Sequence, residues 1–189
     1  MKIAESLGFF LRYVKNPASI GAVCPSSRFL ARKMVAPLKG AVGGDDVVAE
    51  FGSGTGAITK YIASELSVKQ SNLFCFEFDP VSADVLRAKF PAANIVNDSA
   101  EKIADLGDAL PRLKCIVSCL PLLSLPSQVV ASILQNAENA LPKGGLFVQF
   151  TYNLAHSPAE PHFKAMKRVC TSFAALNIPP ARVDVFRKY

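Results

Sequence analysis

The segment Glu50-Phe51-Gly52-Ser53-Gly54-Thr55-Gly56 places a carboxylate and three glycines close together, after the apolar run Val47-Val48-Ala49 and before a stretch of helical spacing. A buried strand that ends in glycines and hands over to a helix is where open α/β sheets bind nucleotide-like ligands. Residues without side chains let backbone N–H groups approach such a ligand closely. The acid two positions before Gly52 can hold a positively charged amino acid end, which suggests S-adenosylmethionine (SAM) rather than a pyrophosphate. Gly52-x-Gly54-x-x-Ala57 also matches the dinucleotide fingerprint, so the loop alone leaves both ligands open.

Two further acids belong to this site, and the second of them, with the extra Gly56, favours SAM. Glu77, in Cys75-Phe76-Glu77-Phe78-Asp79-Pro80, lies 25 residues after Gly52, where an acid commonly accepts hydrogen bonds from ribose hydroxyls. Asp98, in Asn97-Asp98-Ser99-Ala100, ends the next strand, and its carboxylate with the amides after it can bind the edge of an adenine. The candidate cofactor-binding set is Glu50, Gly52, Ser53, Gly54, Gly56, Glu77, Phe78, Asp98, Ser99 and Ala100, joined by Ser118 and Leu120 from a later strand end. The structural alternative is that Glu77 or Asp79 caps the helix after Pro80, and that Asp98 caps the helix after it.

The fourth strand ends in Val117-Ser118-Cys119-Leu120-Pro121-Leu122-Leu123-Ser124-Leu125-Pro126. Enzymes that methylate planar nucleobase or amide nitrogens often carry an Asn or Asp here, followed by prolines and an aromatic that stacks on the target. This chain has neither, and an apolar, proline-stiffened rim suits a greasy acceptor. Tyr152, after the next strand, and Tyr13, with Phe9 and Phe10, are candidates for an aromatic wall that would favour an amine becoming quaternary, worth about 1–2 kcal/mol. His156, or His162 in the same loop, could take the proton that an ammonium must lose before attack. Tyr13, Tyr152 and His156 are thus the candidate catalytic residues.

The elements that must position these groups alternate. Strands are expected near 46–51, 72–78, 93–97, 113–119, 145–151 and 181–187, with 170–178 as a further strand. Helices are expected over 56–66, 80–89, 99–106, 127–140 and 160–168. This is a Rossmann-like α/β pattern: a mostly parallel seven-stranded sheet covered on both faces, with an antiparallel last strand closing a hairpin across Pro179-Pro180. Ahead of it, Ile3, Leu7, Phe10, Leu11 and Val14 line one face of a helix over 3–15, and Ser26 or Ser27 caps a second helix that reaches Ala36 before Pro37.

Charge is uneven along the 189 residues. Lys2, Arg12, Lys15, Arg28, Arg32, Lys33 and Lys39 face Glu5 alone in residues 1–40, which accounts for the whole formal charge of +6. A basic leading segment on a neutral remainder argues for an anionic partner, lipid surface or nucleic acid. Residues 1–40 are therefore read as a basic amphipathic segment, a membrane or cleft lid, and 41–189 as the SAM-binding core, within one structural domain. No apolar run approaches the ~20 residues that span a bilayer, and the leading segment makes a poor secretory signal, so a cytoplasmic protein is expected. The five cysteines form no CxxC pair; they read as small buried hydrophobes, with Cys115 and Cys119 plus a histidine only a weak metal pattern, and no metal is expected.

Several strings taken together resemble a known family. They are residues 16–31 (Asn16-Pro17 through Gly21-Ala22-Val23-Cys24-Pro25-Ser26-Ser27 to Ala31), Glu50–Gly56, Glu77-Phe78-Asp79-Pro80, Leu120-Pro121-Leu122-Leu123-Ser124, Val148–Tyr152 and Leu176–Val183. The chain resembles the bacterial phospholipid N-methyltransferases of the Rhodobacter type, themselves similar to rRNA adenine dimethylases. Ser53 stands where many relatives have Pro, and Phe51 where Leu is usual. The resemblance implies SAM-dependent methylation of phosphatidylethanolamine, through mono- and dimethyl forms, toward phosphatidylcholine. It also implies an N-terminal amphipathic helix that binds anionic membrane and helps close the cofactor cleft, hence a peripheral place on the inner face of the cytoplasmic membrane and no nucleic-acid partner. Another aminolipid, such as an ornithine lipid, remains an alternative acceptor, and an RNA methyltransferase is the rival reading of the same basic segment.

Overall fold

Ser27 caps the first described helix: its Oγ accepts the N–H of Leu30, and α1 runs Arg28–Val35 before Pro37 turns the chain into a 3₁₀ turn at Ala36–Leu38. The structure is a computed structural model that describes residues 27–189. The expected helix over 3–15, with Tyr13, and the motif through Ser26 lie outside the described residues. Leu30, Ala31, Met34, Val35 and Leu38 are fully buried, so this part of the basic leading segment packs its apolar face into the core.

Strand β1 (Val47–Phe51) is buried at every position, as a central parallel strand covered on both faces must be. It is followed by β2 (Leu73–Phe76), β3 (Asn94–Val96), β4 (Leu113–Ser118), β5 (Leu146–Thr151), β6 (Met166–Ala174) and β7 (Ala181–Lys188). The sheet order is β3-β2-β1-β4-β5-β7-β6, with β1 to β5 parallel and β7 antiparallel to both its neighbours. The order reverses between β1 and β4, the topological switch point at which such sheets bind ligands. All the parallel strands deliver their loops to one edge, here called the carboxyl edge. Because β7 runs the other way, the β6–β7 hairpin tip also reaches that edge, with Thr151 opposite Arg182 and Arg182 opposite Phe173.

Alternate residues of each strand feed two cores. On one face α1, α2 (Thr59–Glu65) and α3 (Pro80–Lys89) bury Ile58, Ile62 and Leu86 against Val48, Val117, Val148 and Val183. On the other, α4 (Ser127–Ala140) and the 3₁₀ turns of 100–112 cover a line of rings in which Phe51 meets Phe76 and Phe147, and Phe163 bridges Phe147 and Phe186. Each fully buried Phe contributes roughly 1.5–3 kcal/mol. Among the described residues no helix is long and apolar enough to cross a membrane.

Three expected elements differ. The helix over 99–106 is a run of 3₁₀ turns, Ala100–Arg112, broken at Gly107, whose φ of 55° and ψ of −127° lie outside helical space. The helix over 56–66 begins only at Thr59, because Gly54 and Gly56 hold the chain in turns at positive φ. The helix over 160–168 is a turn at Glu160–His162 followed by β6, which starts at Met166 rather than near 170. Pairing with β7 overrides local propensity there. Buried Glu138 of α4 assists: its carboxylate accepts the N–H groups of Lys164, Ala165 and Met166 and holds them out of a helical ladder.

Candidate active site

Backbone bonds knit the ends of β1, β2 and β3 into one crevice. Gly52 and Ser53 both donate to the carbonyl of Phe76, and Glu77 donates to that of Val96. Glu77 then turns its carboxylate back over the glycine loop. Its Oε2 accepts the Gly54 N–H at 2.7 Å and its Oε1 accepts the Asp79 N–H at 2.8 Å. Each oxygen keeps a further lone pair with which it could receive a ribose hydroxyl. Burial pushes the Glu77 pKa up, opposed by those two N–H groups. Asn97 completes the knit, donating to the carbonyls of Glu77 and Phe78. Asp79 is the helix cap, accepting from Ser82 at 2.8 Å, so Glu77 is free of that duty.

The three glycines have different reasons to be glycine. A Cβ on Gly52 would stand 2.8 Å from Leu120 Cδ2, and one on Gly56 2.6 Å from the Phe90 ring, so both admit protein side chains. Gly54, with φ of 54°, has no atom within 4 Å of that position. It is the open place in the loop, and a ligand backed by Glu77 would fit against it. Ser53 is nearly buried and holds the turn, its carbonyl accepting the Gly56 N–H.

Glu50 is fully buried on the α2 side of β1. Its Oε2 accepts Thr59 Oγ1 at 2.6 Å, and the thiols of Cys75 and Cys119 donate at 3.8 and 3.7 Å. Burial without a cation pushes its pKa up to about 7, and the Thr59, Ser53 and cysteine hydrogen bonds only partly offset this. Desolvation, then the carboxylate of Glu50, keeps both thiols protonated well above their ordinary range, so they are donors rather than nucleophiles. The arrangement suits a carboxylate that awaits a cationic neighbour. Asp98 is exposed after β3, its Oδ1 accepting the Ser99 N–H at 2.6 Å, while Ser99 caps the following turns through Glu101 and Ala100 is buried beneath. An open glycine, an exposed acid and two buried acids around a switch point fit SAM, whose parts are an adenosine and a cationic amino acid.

Across the crevice, Leu120 lies on Gly52 and Ser118 is buried, its Oγ without a hydrogen-bond partner. Its neighbour in register, Gln149, fixes the β4 loop by donating from Nε2 to the Leu120 carbonyl at 3.0 Å. Tyr152 is half-buried at the end of β5, its ring edge-on to Phe150. His156 is exposed, and its backbone N–H donates to Asn153 Oδ1. Among the described residues no three His, Cys, Asp or Glu side chains are grouped as for a metal ion. Sequence reading passed over Thr59, Gln149, Glu138 and the buried Arg182–Asp184 pair, in which Nε meets Oδ1 at 2.9 Å. The available signal was a polar residue inside an otherwise apolar pattern, as at Gln149 in Leu146–Thr151.

No protein-family model matches the chain. The fold is that of solved methyltransferase structures: TrmN from Thermus thermophilus superposes with a TM-score of 0.66 at 18% identity, over 94% of this chain and 53% of TrmN, so this chain spans about half of TrmN's length. A TehB-like SAM-dependent methyltransferase from Corynebacterium glutamicum gives 0.60 at 17% identity, over 98% and 99% of the two chains. The fold is that of the class I SAM-dependent methyltransferases. An ornithine lipid N-methyltransferase from Singulisphaera acidiphila is 31% identical over 185 residues, 92% of each chain. The chain belongs to the same family as that enzyme and is a SAM-dependent N-methyltransferase.

Proposed function

We propose that the chain methylates the headgroup amine of an aminolipid at a membrane surface, with an ornithine lipid as its acceptor. The observation that carries this reading is the near full-length match to an enzyme named for that substrate. Phosphatidylethanolamine is the second acceptor, favoured by the resemblance of the Gly21–Ser27 and Leu120–Ser124 strings to phospholipid N-methyltransferases. The apolar loop after β4, which lacks an amide, an acid or a stacking aromatic, supports both over a nucleobase.

SAM, when bound, supplies an electrophilic methyl group on a sulfonium. Glu77, Asp98 and the open side of Gly54 hold the adenosine end, and Glu50 compensates the charge of the amino acid end through the wall of the crevice. The chain's further work is to orient the amine and strip its water, which favours the neutral form that attacks. Tyr152 gives that position an aromatic wall, and His156 takes the released proton at the exposed edge. Expression in a host that makes ornithine lipid and phosphatidylethanolamine but no methylated lipid tests this. Mono-, di- or trimethylated ornithine lipid on chromatograms is the expected result; methylated phosphatidylethanolamine alone selects the second acceptor, and an unchanged lipid profile rejects both.

A further inference from the structure

Among the described residues eight large hydrophobic side chains are exposed, and six belong to the carboxyl edge of the sheet. Val81 follows β2, Leu123 follows β4, Leu154 follows β5, and Phe173, Leu176 and Ile178 belong to the end of β6 and the hairpin tip. Only Val169, in mid-strand, and Tyr189, at the opposite edge, lie elsewhere. Scattered exposed hydrophobics are ordinary; concentration on one edge is not. The two most prominent at the tip are Leu176 at 68% and Ile178 at 83% exposure, and neither belongs to either buried core. The tip is stiffly mounted by buried Asn177, whose Nδ2 donates to the Pro179 carbonyl at 2.7 Å and whose Oδ1 accepts the Ser27 N–H at 3.3 Å.

That last bond places Ser27, the first described residue, at the same rim. Exposed Arg28 stands next to it, and the sequence before Ser27 carries Lys2, Arg12 and Lys15 against Glu5. Apolar side chains with cations around them are the composition of a surface that settles into an anionic bilayer. We propose that the β6–β7 hairpin tip inserts into the lipid surface and that the carboxyl edge docks face-on, so that the crevice opens directly onto the headgroups. The inference rests on the aminolipid reading, which it deepens by naming the surface that meets the lipid. It adds a second, rigid contact to the leading segment, and it orients the enzyme: α1 to α3 stand beside the bilayer normal rather than flat on the membrane.

The chain contains no tryptophan, which makes the test direct. Full-length Ile178→Trp is titrated with vesicles of phosphatidylcholine and phosphatidylglycerol, with and without lipids brominated in the acyl chains. Tyr189→Trp at the opposite edge is the control. The expected result is a blue shift and bromine quenching for Ile178→Trp and neither for Tyr189→Trp. Leu176→Asp with Ile178→Asp should lower vesicle affinity by about tenfold per residue while leaving SAM affinity unchanged. Emission of Ile178→Trp that is already blue and ignores vesicles would mean that the rim is covered by the chain itself or by a second copy, and overturns the proposal; so does equal quenching at both edges. Methylation of ornithine lipid in detergent micelles is assayed in parallel. Active wild type with no insertion signal sinks the docking surface alone, and insertion with no methylated lipid sinks the acceptor reading while the docking surface stands.

Discussion

The two sides of the crevice are built from opposite materials. On the β1–β2–β3 side, order comes from carboxylates that accept backbone N–H groups: Glu77 on Gly54 and Asp79, Asp98 on Ser99, with Glu50 sealed behind them. On the β4–β5–β7 side, the rim is Leu120, Pro121, Leu122 and Leu123 with an apolar hairpin beyond, and its polar groups, Gln149 and Ser118, face inward. The first side can recognise a polar, charged methyl donor by direct hydrogen bonds. The second suits, by shape and exclusion of water, the proposed acceptor, whose bulk is greasy. The proposed methylation of a lipid amine needs that asymmetry, since a sulfonium donor is soluble and such an acceptor is not.

The sharpest way to break the comparison is at Glu77. Glu77→Ala removes both acceptors of the loop and should weaken SAM binding about 100-fold by calorimetry, because two charge-assisted hydrogen bonds are lost together. Glu77→Gln, which keeps an acceptor oxygen, should lose about tenfold. Undiminished affinity in Glu77→Ala would mean that the loop holds itself.

The glycines give the next largest effect and separate packing from binding. Gly56→Ala forces a side chain into the Phe90 ring at positive φ and should destabilise the fold by about 2–3 kcal/mol, read as a fall in Tm. Gly54→Ala meets no atom, so its φ strain costs about 1 kcal/mol, while SAM affinity falls more than for Gly56→Ala. The reverse ranking of SAM affinities would move the ligand away from Gly54.

Glu50 supplies a pH signature. Its pKa in the fold is raised to about 7, so the folded chain binds more protons than the unfolded one between the ordinary carboxylate value and that point. Without ligand, stability from this group therefore falls as pH rises through about 7. A cationic ligand prefers the ionised form, so SAM affinity should rise about tenfold from pH 6 to pH 8, and Glu50→Gln should flatten the profile. A flat wild-type profile would remove Glu50 from the ligand's surroundings. The smallest effect is expected at Leu123, on the acceptor rim: Leu123→Ser should lower methylation of vesicle-borne lipid about threefold and leave micellar lipid unaffected.

Much of this was legible in the chain. The central strands were readable because burial on both faces makes their sequences continuously apolar, and the ligand loop because glycines punctuate its turns. The caps were legible to within two candidates each, Ser26 or Ser27 and Glu77 or Asp79, of which the fold uses Ser27 and Asp79. What failed did so for non-local reasons. The β6 segment has helical spacing, and its fate is decided by β7 and by Glu138, distant in sequence. Likewise the acids near the loop were visible by type, but spacing does not say which way a carboxylate turns. Glu77 faces back onto the loop, and Glu50 lies behind β1 among Thr59, Cys75 and Cys119. The apolar rim was readable only at Leu120–Pro126; Val81, Leu154, Phe173, Leu176 and Ile178 come from other loops and strand ends, which only the fold brings to the same edge.

The central claim is that the donor crevice serves an acceptor delivered from a lipid surface. The most direct measurement is transfer of labelled methyl from SAM by the full chain, given ornithine lipid vesicles, ribosomal RNA and soluble ornithine in one reaction, then partitioned between organic and aqueous phases. The account predicts label in the lipid phase, on the headgroup amine. Label confined to RNA or to the soluble amine would contradict it.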